Sequence, residues 1–500
     1  MTTSISSVAV NPALETSGET DRPAPEQTIQ RPPHTLPSRF IFLGLCVAIV
    51  LTALAFGTNH NWALAVFNLG GLALIFLWLF DGWKLGVLRV SRNPLQLPLL
   101  GMLLLGGIQL LPLRSAAAVN LLSIPAVKSL SLDPYATTLI IADVATLLIY
   151  FAATLVFTDT PHRLRILVRT IIIFGFVLAI FGLTQSFTTG KVFWVRELSQ
   201  STAFGPFINR HHFAGYMEMT LALPLGMIFA GSLEREKRFA YIFAVVLMGV
   251  ALLMTNSRGG VISLIAEILF LVVLSGFRKR KVRAVAEEKS QKIRRTALRA
   301  ALALALIVAL FGGVVLLGGE AALSRFAGTV NSEDPTTGRA HFWSVTIDII
   351  KAHPIVGIGL GAFPTVYTRY DSRNGSFRLE QVHNDYLQVL SDGGVVLAAL
   401  GLFFIVMLFR GGFARRESTD EYRSGVALGA LAGCFAVLVH SFFDFTLHTT
   451  ANALLFLVMA ALATMNGRVE QPQKRRRRRR RQHHHEDSGP IMISPGGHSE

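Results

Sequence analysis

Uncharged apolar runs of about 17–22 residues recur along the whole chain, the length that a helix rising about 1.5 Å per residue needs to cross a hydrocarbon core of about 30 Å. Few soluble folds accommodate so many. With 51% of residues hydrophobic and only 16% charged, the composition points the same way: most of this chain is solvated by lipid. The runs predict helical spans near 40–57, 61–80, 95–113, 137–157, 166–186, 212–231, 239–256, 260–277, 300–317, 393–410, 425–446 and 450–466. The expected fold class is therefore all-α, a polytopic transmembrane helix bundle of about 12 spans.

The first run follows a polar, Pro-containing leader, which places it too late for a cleavable signal peptide, so the first helix is expected to remain in the mature protein. Cys46 and Cys434 both lie in apolar runs without neighbouring ligand-type residues, a pattern that suggests neither a disulfide framework nor a zinc site.

Net charge is +16, but its distribution speaks for membrane orientation rather than nucleic-acid binding. Basic residues fall in alternate loops: Lys84, Arg89 and Arg92; Arg163 and Arg165; Arg235, Lys237 and Arg238; Arg278 to Arg283; Arg415, Arg416 and Arg423. By the positive-inside rule these loops and both termini are cytoplasmic. The tail carries seven consecutive arginines and then three histidines, a low-complexity segment suited to anionic headgroups.

Five regions follow: a disordered cytoplasmic leader over 1–38, spans over 39–317, a large periplasmic loop containing short helices over 318–392, further spans over 393–466, and a disordered Arg-rich cytoplasmic tail over 467–500. A loop of this size among short connections suggests function. Within it, Gly338–His353 reads as an amphipathic helix with Phe342, Val345, Ile349 and Ala352 on one face and a stop at Pro354. The Gly-rich stretch Pro354–Pro364 superficially resembles a phosphate loop, but it lacks a preceding buried strand and a following Lys-Ser/Thr. A tight, partly buried turn is expected instead.

Ionisable groups at the non-cytoplasmic face are the candidates for chemistry, because such groups are costly near lipid. Arg258 sits at a turn on the side where few basic residues belong; the alternative is an arginine snorkelling to headgroups. Arg339 opens the loop helix, where a guanidinium can grip phosphate oxygens beside a helix N-terminus, or form a surface salt bridge. His383 precedes the tenth span, and an imidazole there can act as general base toward an acceptor hydroxyl, or be merely structural. Adjacent His211 and His212 would face different sides of a helix and make a poor metal pair, and no metal-ligand spacing occurs elsewhere. His440 and Asp444, at i and i+4, share a face and can pair as helix-packing glue, a substrate role being the alternative.

Taken together, Asn209-Arg-His-His-Phe-Ala-Gly215, Ser257-Arg-Gly259, Gly338-Arg339 with Trp343, His353-Pro-Ile-Val-Gly-Ile-Gly359 and His383-Asn-Asp-Tyr-Leu387 before Gly393-Gly394 resemble the O-antigen ligase and polymerase superfamily over about residues 200–450. The resemblance implies a glycosyltransferase of the bacterial inner membrane, active at its periplasmic face, that moves a glycan from undecaprenyl diphosphate to an acceptor hydroxyl. The acceptor is lipid A core, another glycan chain or a protein hydroxyl; no metal, cofactor or nucleic acid is implied. Arg258 and Arg339 would hold the diphosphate and His383 would be the base, with Asn209, Arg210, His212, Asn384, His440 and Asp444 in support. The family commonly has asparagine where this chain has His211, so that residue receives no role. The alternatives are a transporter or flippase of lipid-linked glycans, which would more often show two related halves with ionisable groups near the midplane, and a non-catalytic scaffold. A topology reporter fused at Asn374 should behave as periplasmic; a cytoplasmic signal there would refute the orientation.

Overall fold

A computed structural model describes residues 34–113, 128–188, 192–193, 203–276, 339–372 and 379–465, with scattered positions between 297 and 312. Among the described residues the regular elements are α1 (Leu36–Leu54), α2 (Asn61–Leu85), α3 (Gln96–Gln109), α4 (Pro134–Phe157), α5 (Pro161–Thr188), α6 (Arg210–Ala230), α7 (Arg235–Met254), α8 (Arg258–Gly276), α9 (Arg339–Ala352), α10 (Phe363–Tyr370), α11 (Asp385–Arg416), α12 (Glu421–His440) and α13 (Thr450–Thr464), with short 3-10 turns at Phe56–Thr58 and Thr446–His448. An all-helical fold is observed for these residues, apart from an isolated bridge between Phe204 and Phe207. Nine of these helices are long and apolar enough to cross a membrane, and α3 and α13 are shorter apolar helices. The expected span over 300–317 lies largely outside the described residues, as do most of the leader and the tail.

Helix ends follow local chemistry, and several differ from the sequence-based expectation by a few residues, three of them for a visible reason. The first helix begins at Leu36 rather than Phe40, because the Thr35 side chain caps Ser38 N at 3.1 Å and Pro37 is tolerated in a first turn. The helix expected from 393 begins instead at Asp385, where Asn384 accepts from Tyr386 N and Leu387 N; it continues across a non-helical residue, Gly394 (φ 60°, ψ −158°). The eleventh expected span, 425–446, is α12, which starts at Glu421 behind the Asp420 cap and already ends at His440.

At the centre lies α6, buried from His212 to Phe229. Against it runs α12, whose Gly425, Gly429 and Gly433 line one stripe. A Cβ on Gly226 would lie 2.2 Å from Gly429 Cα, and one on Gly429 would lie 2.5 Å from the Ala222 carbonyl oxygen. The two backbones touch, a contact only small residues permit. Around this pair, α13 and α8 complete the interior, while α2 turns Leu69, Leu72 and Phe76 outward, as a lipid-facing helix would.

The segment between α8 and α11 carries its own small core, in which Val345, Ile349, Ile358, Phe363, Val366, Tyr367 and Val382 pack together. Phe342 packs against this core as expected for the amphipathic face, but Ala352 is exposed, because the helix ends there and the last turn leaves the packed surface. The Gly-rich stretch is indeed a tight turn, with positive φ at Gly357, Gly359 and Gly361. It docks on the α11 kink: Ile358 N donates to Ser391 O (2.9 Å) and Gly359 N to Asp392 O (3.1 Å). Gln109 clamps it from α3, donating to Val356 O at 2.7 Å and accepting from Leu360 N at 3.0 Å.

The Gly226 to Gly429 crossing makes a specific demand. Gly429→Ala should destabilise the protein by about 1–3 kcal/mol, the usual cost of overpacking. Gly401→Ala, with nothing within 4 Å of the added methyl, should be neutral or slightly stabilising. Thermal unfolding of the two variants in one detergent checks both.

Candidate functional site

The chain does not continue as helix beyond His440 because tertiary donors take the next carbonyls. Ser441 O accepts from Asp385 N (2.9 Å), Phe442 O from Asn384 Nδ2 (3.2 Å), and Phe443 O from Arg339 Nη1. These three bonds tie the starts of α9 and α11 to the end of α12 and aim the next residue, Asp444, into their midst.

Asp444 is only 1% exposed, yet four donors converge on it. Its Oδ1 accepts from Phe445 N (2.9 Å) and meets His383 Nδ1 at 3.2 Å. Its Oδ2 meets Arg339 Nη2 at 3.3 Å and His211 Nδ1 at 3.6 Å. Burial alone would raise this carboxyl, but the hydrogen bond from His383 and the charges of His211, His383 and Arg339 outweigh it, holding Asp444 well below the ordinary carboxylate range. His383 stands in the left-handed backbone region (φ 56°), its ring edge-on to Phe445 at 4.8 Å. With Nδ1 turned to Asp444, Nε2 is the nitrogen left for a further partner, in a ring 26% exposed.

Arg258 is the first residue of α8, partly buried, between Ser257 and Gly259. A Cβ at Gly259 would lie 2.6 Å from the His440 ring and 3.0 Å from Phe443 Cβ. The α8 start thus abuts the same turn that Arg339 grips, which brings both expected arginines to one end of the bundle with His383.

Other expected residues are placed more quietly. Asn209 caps α6 by accepting from His211 N (2.9 Å), and Arg210 opens that helix. His212 is buried, with Nδ1 on Thr449 Oγ1 (2.7 Å) and its carbonyl accepting from Asn452 (3.0 Å). Asn384 caps α11. The expected side-chain pairing of His440 with Asp444 does not occur: the helix has ended between them, and His440 Nδ1 meets Glu218 Oε1 at 2.7 Å instead.

Sequence reasoning missed Glu218, Ser257, His211 and Asp385. His211 Nδ1 lies 2.8 Å from Ser257 Oγ, and Asp385 joins Ser441 Oγ (2.8 Å) and His448 Nδ1 (2.8 Å). A signal for Glu218 did exist, since it is the only carboxylate of the apolar run 212–231, and a carboxylate inside a span is suspect wherever it lies. Among the described residues no group of three or more His, Cys, Asp or Glu is arranged to hold a metal ion.

Residues 243–402 match the family model described as O-Antigen ligase. The matched stretch runs from α7 into α11, and so contains Ser257, Arg258, Arg339 and His383 but not His211, His440 or Asp444. Comparison with curated proteins finds no match. Nine of the described helices are long and apolar enough to cross a membrane, so the chain is a multi-pass membrane protein, and its stretch 243–402 is similar to the O-antigen ligase family.

Removing the shared carboxylate tests the site. Asp444→Asn should cost about 2–4 kcal/mol of stability at pH 7, less than a fully orphaned buried charge because Arg339 keeps 20% exposure. Because the folded-state value is lowered, the Asp444 contribution is complete above the unfolded value of about 4 and is lost progressively as pH falls from there toward the folded one. The deficit of the variant should therefore persist from about pH 8 to pH 5 and shrink below about pH 4, as read from thermal unfolding across pH.

Proposed function

Given an O-antigen ligase domain over residues 243–402, we propose that this protein transfers a glycan from an undecaprenyl diphosphate donor to an acceptor hydroxyl at the periplasmic face of the inner membrane. The observation that carries the reading is the sharing of one buried carboxylate, Asp444, by His383 and Arg339, beside the α8 start that bears Arg258.

In this mechanism Arg258 and Arg339 bind the diphosphate oxygens. A guanidinium supplies rigid, permanently charged donors that suit a phosphate and neutralise the charge growing on it as the bond to the sugar breaks. His383 Nε2 takes the proton of the acceptor hydroxyl, whose oxygen attacks the anomeric carbon from the face opposite the leaving diphosphate, so the configuration inverts. Asp444 holds His383 Nδ1–H, keeping the basic nitrogen outward and stabilising the imidazolium that forms. The donor is already activated, so transfer needs positioning and charge stabilisation but no nucleotide. Two arginines suffice to offset the diphosphate charge, which makes the reaction metal-independent in this scheme. The basic loops on the opposite face support the periplasmic assignment.

Purified protein should transfer glycan from synthetic undecaprenyl diphosphate donor in detergent with EDTA present, lipid A core, free glycan and a Ser/Thr-containing protein each being offered as acceptor. His383→Ala should lower kcat about 10²- to 10⁴-fold, and Arg258→Ala or Arg339→Ala about 10²-fold or more. Whichever acceptor is consumed names the enzyme as ligase, polymerase or protein glycosyltransferase. Absence of product with all three acceptors, while donor still binds, would refute the transferase reading and favour a transporter.

A further inference from the structure

A line of polar side chains leads from Asp444 away from the reaction centre into the apolar bundle. His211 Nδ1 faces Asp444 Oδ2 at 3.6 Å and Ser257 Oγ at 2.8 Å. Ser257 Oγ lies 3.5 Å from His440 Nε2, and His440 Nδ1 lies 2.7 Å from Glu218 Oε1. His440 and Glu218 are fully buried. Each hydrogen in this line can be assigned from the outer end. Asp444 is a carboxylate, and its charge 3.6 Å away favours hydrogen on the His211 nitrogen that faces it. Ser257 Oγ then accepts from His211, and it also accepts from Gly260 N at 3.2 Å, which occupies both its lone pairs. Its single hydrogen therefore points to His440 Nε2. That nitrogen is bare, and the other, Nδ1–H, donates to Glu218. With the His211 hydrogen placed on Nδ1, the line is directional throughout.

The consequence falls on His211. With hydrogen on Nδ1, its Nε2 is an unprotonated acceptor on a ring 21% exposed, in the same wall as Arg339 and His383. Neither arginine can do this work, since guanidinium only donates. We propose that His211 is a substrate-positioning residue whose Nε2 accepts a hydrogen bond from a sugar hydroxyl of a glycan acceptor, its tautomer being locked from within the membrane by Ser257, His440 and Glu218. This rests on the transferase reading above, and it gives the buried Glu218 a function at a surface it does not touch.

Two measurements on the full-length protein in detergent test it. In ¹⁵N spectra of histidine-labelled protein, the resonance that disappears in His211→Ala should show a protonated Nδ1 and a bare Nε2, and it should shift toward a mixture of tautomers in Ser257→Ala and in Glu218→Gln. In transfer assays with the glycan acceptor, His211→Ala and Ser257→Ala should raise KM for that acceptor about tenfold, the loss of roughly one hydrogen bond, with donor KM unchanged; His211→Gln, which keeps an acceptor atom, should recover part of it. An Nε2-protonated His211 in the wild type overturns the proposal even if every variant misfolds, and so does an unchanged acceptor KM in His211→Ala. A wild type that transfers nothing sinks the transferase reading instead, while the tautomer remains readable by itself.

Discussion

Everything at the functional end depends on two helix backbones touching. Where Gly226 of α6 meets Gly429 of α12, a methyl group on either would collide with main-chain atoms of the other. Because that crossing allows no slack, the upper ends of the helices arrive at fixed separation, and His211 on α6 can reach a residue placed by the turn after α12. Lipid supplies no hydrophobic drive for helices to associate, so close van der Waals contact and interhelical hydrogen bonds must do so. Here the glycine stripe supplies the first, and the bond between His440 and Glu218, which joins the same two helices, supplies the second.

The end of α12 shows how a polar site is assembled against an apolar bundle. A helix terminus leaves carbonyls without partners, and in a buried setting each must be satisfied. Just past the α12 end, the carbonyls of Ser441, Phe442 and Phe443 are answered by Asp385 N, Asn384 Nδ2 and Arg339 Nη1, groups from segments far apart in sequence. Satisfying the backbone is thus the same act as gathering the site. Asp444, lying among these bonds, collects enough donors to stay charged despite its burial.

Much of the architecture was legible as a one-dimensional signal. Runs of apolar residues marked the helices because lipid imposes length and polarity together, and Gly357, Gly359 and Gly361 announced a turn because only glycine adopts such backbone freely. Pairings were not legible. His440 and Asp444 share a helical face only if the helix continues, and nothing in Ser441–Phe445 alone says that tertiary donors will end it. Glu218 finds its partner 222 residues away, and no local pattern links the two. Short motifs surround Arg258, Arg339 and His383, but those motifs say nothing of the buried carboxylate that Arg339 and His383 share.

His383 adopts a left-handed backbone, φ 56°, that an L side chain with a ring pays for at about 1 kcal/mol or more. The residue before a helix cap gains nothing from that conformation except the direction in which its imidazole leaves the chain. Glycine at this position would relax the main chain but would also withdraw the imidazole hydrogen bond from the buried Asp444, so the two effects on stability oppose one another. The strained backbone and the buried carboxylate are thus two halves of one arrangement, because the turn that costs conformational energy is the one that delivers the ring to Asp444.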